Sequence, residues 1–151
     1  MNGQTDERLP VIRALLERGM VYRAIELGKS VAFQLRDESS GVSALVAPAI
    51  GKLTDELRAA INASAVVLFD GTFWSDDELR AVRPGARTAR EMNHLPISDG
   101  SLDFLRDSPA QRKIYTHINN TNPILMPGSS ERGQVEQAGI EIACDGLEIV
   151  L

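Results

Sequence analysis

AVVLFDGTFW, residues 65–74, is the stretch whose reading decides the fold. Its first five positions are apolar without a break and rich in branched side chains. That composition suits a strand buried on both faces better than an amphipathic one, and a strand covered on both sides needs a layer above and a layer below it. The strand ends at Asp70, and Gly71 permits a sharp exit of the chain. Just upstream, Thr54 is placed to cap a helix over 55–62, with Asp55 and Glu56 in the first turn to meet the helix dipole. Further upstream, VAFQLRD (31–37) and VSALVAP (42–48) flank Glu38-Ser39-Ser40-Gly41 and read as a hairpin. LPVIRALLER (9–18) spaces Leu9, Ile12, Leu15 and Leu16 as a short helix stopped at Gly19, and the segment 1–27 as a whole is read as helical.

Downstream, Ser75-Asp76-Asp77-Glu78 has capping-box spacing and predicts a short helix start. Residues 80–90 hold four arginines, a proline and a glycine without hydrophobic period, and read as a loop. Ser98 is expected to cap a helix reaching about Arg106. KIYTH (113–117) is the next strand, INNTNPILMPGSS a polar loop, and Glu131–Ala138 a helix closed by Gly139. IEIAC and LEIVL flank Asp145-Gly146, a two-residue hairpin signal. About six strands and three or four helices thus make one mixed sheet with helices on at least one face. The apolar residues of the first 30 positions are too few to cover the second face.

Composition narrows the class. A chain of 151 residues with a net charge of −5 lacks the basic face that nucleic-acid or anionic-membrane binding needs. One cysteine, Cys144, excludes an internal disulfide and a zinc knuckle, and is read as structural. No apolar run is long enough for a membrane span, and no secretory leader is recognised. The expectation is a cytoplasmic protein.

Chemistry gathers at strand ends. Asp70 follows the apolar strand, His94 lies in the loop NHLPIS (93–98), and His117 ends a strand before Asn119, Asn120 and Asn122. Two imidazoles and a carboxylate suit a metal site or a His–Asp proton-transfer pair. Read alone, each residue also has a structural role open to it: a hydrogen-bonded strand-end histidine, an Asp-Gly turn, a loop of Asx turns. No P-loop, GxGxxG or GxSxG element is present.

GKSVAF (28–33), APAIG (47–51), FDGTFWSDDEL (69–79), NHLPIS, HINNTNPIL (117–125) and GIEIACDGLEIVL (139–151) resemble, in this order, the pyrroloquinoline quinone (PQQ) biosynthesis protein B family of the metallo-β-lactamase superfamily. The likeness covers residues 28–151 and the family's C-terminal half, leaving 1–27 unmatched. It implies an α/β fold of the αββα type, represented mainly by one mixed sheet with its helices. It implies His117 as a metal ligand, and Asp70 with His94 as a catalytic proton relay. The superfamily's bridging aspartate would fall in APAIG, which has none. Its His/Asp-rich first-half motif is missing too, and Asn93 stands where the family has glycine, in a position expected to need positive φ.

The activity implied is an iron-dependent hydroxylation of a precursor-peptide tyrosine. Alternatives are a PQQ carrier assisting transport, an inactive truncated paralogue, and a metal-dependent hydrolase. Iron or zinc is expected only when another chain completes the site. The expected partners are a separately encoded N-terminal half, other PQQ-pathway proteins or the precursor peptide, or a second copy, because half of an αββα fold leaves a sheet face bare. A split or truncated gene is the origin this suggests.

Overall fold

The computed structural model describes residues 19–151, so the helix expected over 9–18 lies outside the described residues. Six strands form one sheet there: β1 (Met20–Leu27), β2 (Ser30–Asp37), β3 (Ser43–Ala47), β4 (Val66–Asp70), β5 (Arg112–Thr116) and β6 (Glu141–Ile142). They lie side by side in chain order. β1, β2 and β3 pair antiparallel, whereas β3 to β6 run parallel. The parallel steps need crossovers, which carry α1 (Asp55–Asn62), α2 (Glu78–Val82), α3 (Leu102–Asp107) and α4 (Ser130–Gln137).

The expected mixed sheet is present, and several elements fall where the residues place them. α1 is capped by Thr54, whose hydroxyl accepts from Leu57 N at 3.2 Å. α4 is capped in the same way by Ser129 and is followed by Gly139 at φ 69°. Leu57 and Ile61 of α1, Leu105 of α3 and Val135 of α4 pack on Ala32, Leu45, Val67, Phe69 and Tyr115. All of these are fully buried. Burial of this kind is worth about 1.5–3 kcal/mol per large apolar side chain, and it fixes the helices to one face of the sheet.

The opposite face is different. Strand register sets Ala24, Phe33, Val46, Leu68 and Ile114 in a row across it, and Tyr22, Leu35, Ala44 and Val66 in the next. Among the described residues only the end nearest β5 is covered, where Ile149 and Leu151 pack on Ala44, Val66 and Ile114. Toward β1 the row is open: Tyr22 is 62% exposed, Phe33 42% and Val31 40%. The double-sided burial read for β4 is therefore met in part: Val66 is buried and Leu68 is not.

Four expectations need correction. Met20–Leu27 is a strand, so the helical reading does not extend to residue 27; a tight Gly28-Lys29 turn folds it back on β2, pairing Leu27 with Ser30. The C-terminal hairpin does not form. Asp145-Gly146 does turn, with Leu147 N bonded to Cys144 O, but only Glu141–Ile142 joins the sheet, parallel to β5. Ile149 and Leu151 of the tail serve as a cover for the second face, whereas Leu147, Val150 and Cys144 are exposed. The helix expected from Ser75 starts at Glu78 instead, because Ser75 Oγ bonds Asp77 and the Glu78 carboxylate is engaged by Trp74 N and Thr121. Ser98 caps nothing: a wide turn over Ile97–Ser101, with Asp99 off helical geometry, delays α3 to Leu102.

A candidate metal and proton-transfer centre

Asp70, His94 and His117 come together at the C-terminal ends of the parallel strands. One ligand atom from each lies within 4.8 Å of the others. Asp70 closes β4 and is fully buried; His94 is half-buried in the loop after a short turn at Arg90–Met92; His117 is exposed just beyond β5. The two imidazole rings stack with centroids 5.7 Å apart, and the edge of Phe73 meets His94 at 5.8 Å.

Local backbone geometry aims these side chains. Asn93 sits at φ 64°, the left-handed conformation expected for it, and turns the chain so that His94 faces Asp70. Its amide is tied down by Ser30 Oγ at 2.8 Å. His117 also has positive φ, 54°, which lifts it out of the β5 ladder and swings its ring back over the β4 loop. That loop is stitched to the one after β5: Gly71 N donates to Thr116 O, Asn119 N to Thr72 O, and Asn122 Nδ2 to Gly71 O. Gly71 is required by proximity and not by φ, since a Cβ there would come 2.9 Å from the Tyr115 Cβ.

Asp70 accepts from four donors. Oδ1 takes Thr72 N at 3.0 Å and Thr72 Oγ1 at 2.6 Å; Oδ2 takes Ile50 N at 2.8 Å and His94 Nδ1 at 2.8 Å. A carboxylate offers about four lone-pair sites, and all are used. This has two consequences. Asp70 has no lone pair left for a metal, although it belongs to the cluster. The proton on His94 sits on Nδ1, which leaves Nε2 facing outward.

Thr72 is the functional residue that the sequence reading missed. Its Oγ1 lies 2.8 Å from His117 Nδ1 and 2.9 Å from the His117 carbonyl. The hydroxyl has one proton, and its shortest contact is the Asp70 oxygen. Toward His117 Nδ1 it is then an acceptor, which puts the His117 proton on Nδ1 and frees Nε2. A signal existed: Thr72 follows Asp70 by two residues, the spacing that returns a side chain to the same side of an extended chain. A single carboxylate thus orients both histidines, one directly and one through Thr72.

The donor set fits a cation only in part. Two outward Nε2 atoms are suitable ligands for zinc or iron, but a working site takes three or more. The APAIG turn, where the superfamily's bridging aspartate would fall, supplies no carboxylate. Its Ile50 N–H binds Asp70 instead. Near the site, Tyr115 donates or accepts at 2.8 Å with Ser101, and burial pushes its phenol well above the ordinary tyrosine value, with Ser101 opposing and Asp70 adding to the rise.

The family model of the beta-lactamase superfamily domain matches residues 11–118. The chain is 43% identical over 126 residues to coenzyme PQQ synthesis protein B of Cupriavidus necator, covering 82% of this chain and 41% of that protein. The figure for the protein of the same name from Bradyrhizobium diazoefficiens is 41%, with the same coverage. Among solved structures, Zn2+-bound PqqB from Methylobacterium extorquens superposes with a TM-score of 0.81 at 32% identity, over 88% of this chain and 47% of that one. The chain spans about two fifths of the length of the curated relatives it matches. With a mixed sheet, helices on one face and a polar centre at the strand ends, it belongs to the beta-lactamase superfamily and has the metallo-β-lactamase-like fold.

Proposed function

We propose that the chain contributes the Asp70–His94–His117 portion of a metal-dependent centre acting in PQQ biosynthesis. One observation carries this reading: Asp70 engages His94 at Nδ1 and Thr72 engages His117 at Nδ1, so neither contact uses an Nε2 atom. Similarity to the PQQ synthesis B proteins and to a Zn2+-bound member supports it. In this reading His117 ligates the metal through Nε2. His94 hands a proton to or from the reacting group through its own Nε2, and Asp70 keeps the imidazole in the right tautomer. The metal, iron or zinc, would supply Lewis-acid or redox chemistry. By family likeness the reaction is hydroxylation of a tyrosine in a precursor peptide. The remaining ligands come from further polypeptide, either another chain or more of a longer one, docked over the open sheet face.

A non-catalytic reading, as a PQQ carrier or an inactive paralogue, is favoured by the shortage of ligands alone. Metal content decides between them. Iron and zinc are measured in the 151-residue chain, then in the chain assembled with a polypeptide carrying the rest of the domain. Stoichiometric metal in the assembly, lost in His117→Ala, is the expected result. Unchanged metal in that variant overturns the ligand assignment, and an assembly without metal leaves the carrier reading.

A further inference from the structure

Two of the stretches that carry the family resemblance, GKSVAF and APAIG, give no side chain to the Asp70 centre. They meet elsewhere. The β1–β2 turn and the segment after β3 form the walls of a cleft of about 250 Å3, lined among others by Lys29, Ser30, Ile50, Gly51, Lys52 and Asn93. Both charged residues of the lining are lysines, and no carboxylate lines it, in a chain of net charge −5. A concave site with one sign of charge focuses its field on an incoming counter-ion.

The cleft is also built. Ser30 is buried, and its hydroxyl accepts from Asn93 Nδ2 at 2.8 Å, which leaves its own proton for an acceptor in the cleft. A Cβ on Gly51 would run into the Asn93 amide, so glycine keeps the floor open. Ile50 locks the cleft to the centre: its N–H binds Asp70, and its carbonyl accepts from Leu95 N at 2.6 Å, while Asn93 directly precedes His94.

We propose that this cleft is an oxyanion subsite. It takes a carboxylate or phosphate group of the substrate whose reacting end lies at His94 and His117; in the function proposed above, that group is a carboxylate of the precursor peptide. The placement rests on the function proposed above; the anion binding does not. Lys29 and Lys52 act as two ammonium point charges, with the Ser30 hydroxyl as the neutral donor between them.

The test uses the full chain without metal, titrated separately with succinate and with inorganic phosphate at low ionic strength. Amide resonances of Gly28, Lys29, Gly51 and Lys52 are followed by NMR. Saturable shifts with at least one probe are expected, and Lys29→Ala and Lys52→Ala should each weaken binding tenfold or more. Saturation by succinate alone assigns a carboxylate ligand, and by phosphate alone a phosphoryl ligand. His117→Ala should bind the probe as the unmodified chain does, so a failed metal assignment leaves this result untouched. No saturation with either probe, or unweakened binding in both lysine variants, overturns the subsite.

Discussion

Asp70 serves four donors from three separate segments, and its removal should be felt in both stability and tautomer. Asp70→Asn turns an amide NH2 toward N–H groups that need an acceptor, a buried mismatch costing about 1–3 kcal/mol, to be read from urea denaturation. Thr72→Val keeps shape and removes only the hydroxyl. Long-range 1H–15N spectra of the imidazoles should show Nδ1–H for both histidines in the unmodified chain. In Thr72→Val, His117 should drift to a mixture while His94 keeps its form; Thr72→Ser should restore both. Unaltered His117 signals in the valine variant would remove Thr72 from the relay. Asp70, His94 and His117 were legible because their types and strand-end positions are informative. Thr72 was not, because its role appears only when His117 turns back at positive φ and brings Nδ1 within reach.

At the scale of the element, two carboxylates cap turns with opposite pH behaviour. Asp37, at the end of β2, is held down at about 2 by hydrogen bonds from Ser40 first and then Ser39. A lowered value means its contribution is present above the ordinary carboxylate range and is lost as pH falls toward 2. The stability difference between the unmodified chain and Asp37→Asn should be flat above about pH 4 and shrink below it, as followed by denaturation at stepped pH. Glu78 runs the other way. Burial raises it against the opposing bonds from Thr121 and Trp74. Its favourable term is complete below 4.5 and is lost as pH rises through the raised folded value, a slope that Glu78→Gln should flatten.

Local chemistry is decisive where the sequence reads true: Thr54 caps, Gly139 ends the last helix, and the Asp37–Gly41 turn closes the β2–β3 hairpin. β1 is hidden in the sequence because its residues on the open face are mixed, Tyr22, Ala24 and Glu26, so no clean alternation marks it. The C-terminal hairpin is absent although its sequence favours one, because an Asp-Gly turn and two apolar runs fit either a ladder or a cover. Tertiary demand for the cover on Ala44, Val66 and Ile114 won.

For the whole molecule the open sheet face is the governing fact. No helix among the described residues is long and apolar enough to cross a membrane, and Tyr22, Val31 and Phe33 are exposed on this face, with Val46 half-buried beside them. Apolar patches of this kind drive association. The isolated chain should self-associate with rising concentration in sedimentation velocity, and Phe33→Glu should shift it toward monomer with little loss of helix signal. A sharp monomer at high concentration in the unmodified chain would mean the face needs no partner. Adding a polypeptide with the rest of the domain should suppress self-association, because both compete for the same residues.

The order of the sheet, β1 through β6 without interleaving, has one more consequence. Among the described residues every strand finds its ladder partner next to it along the chain, so no foreign strand is threaded between two of its own. In the assembly proposed above, what joins this unit to the rest of the centre is the sheet face with its side chains, not a shared ladder. Such a joint can be parted and remade without unravelling either side, which makes the unit a transferable piece, able to keep its own shape while evolution changes what it is pressed against.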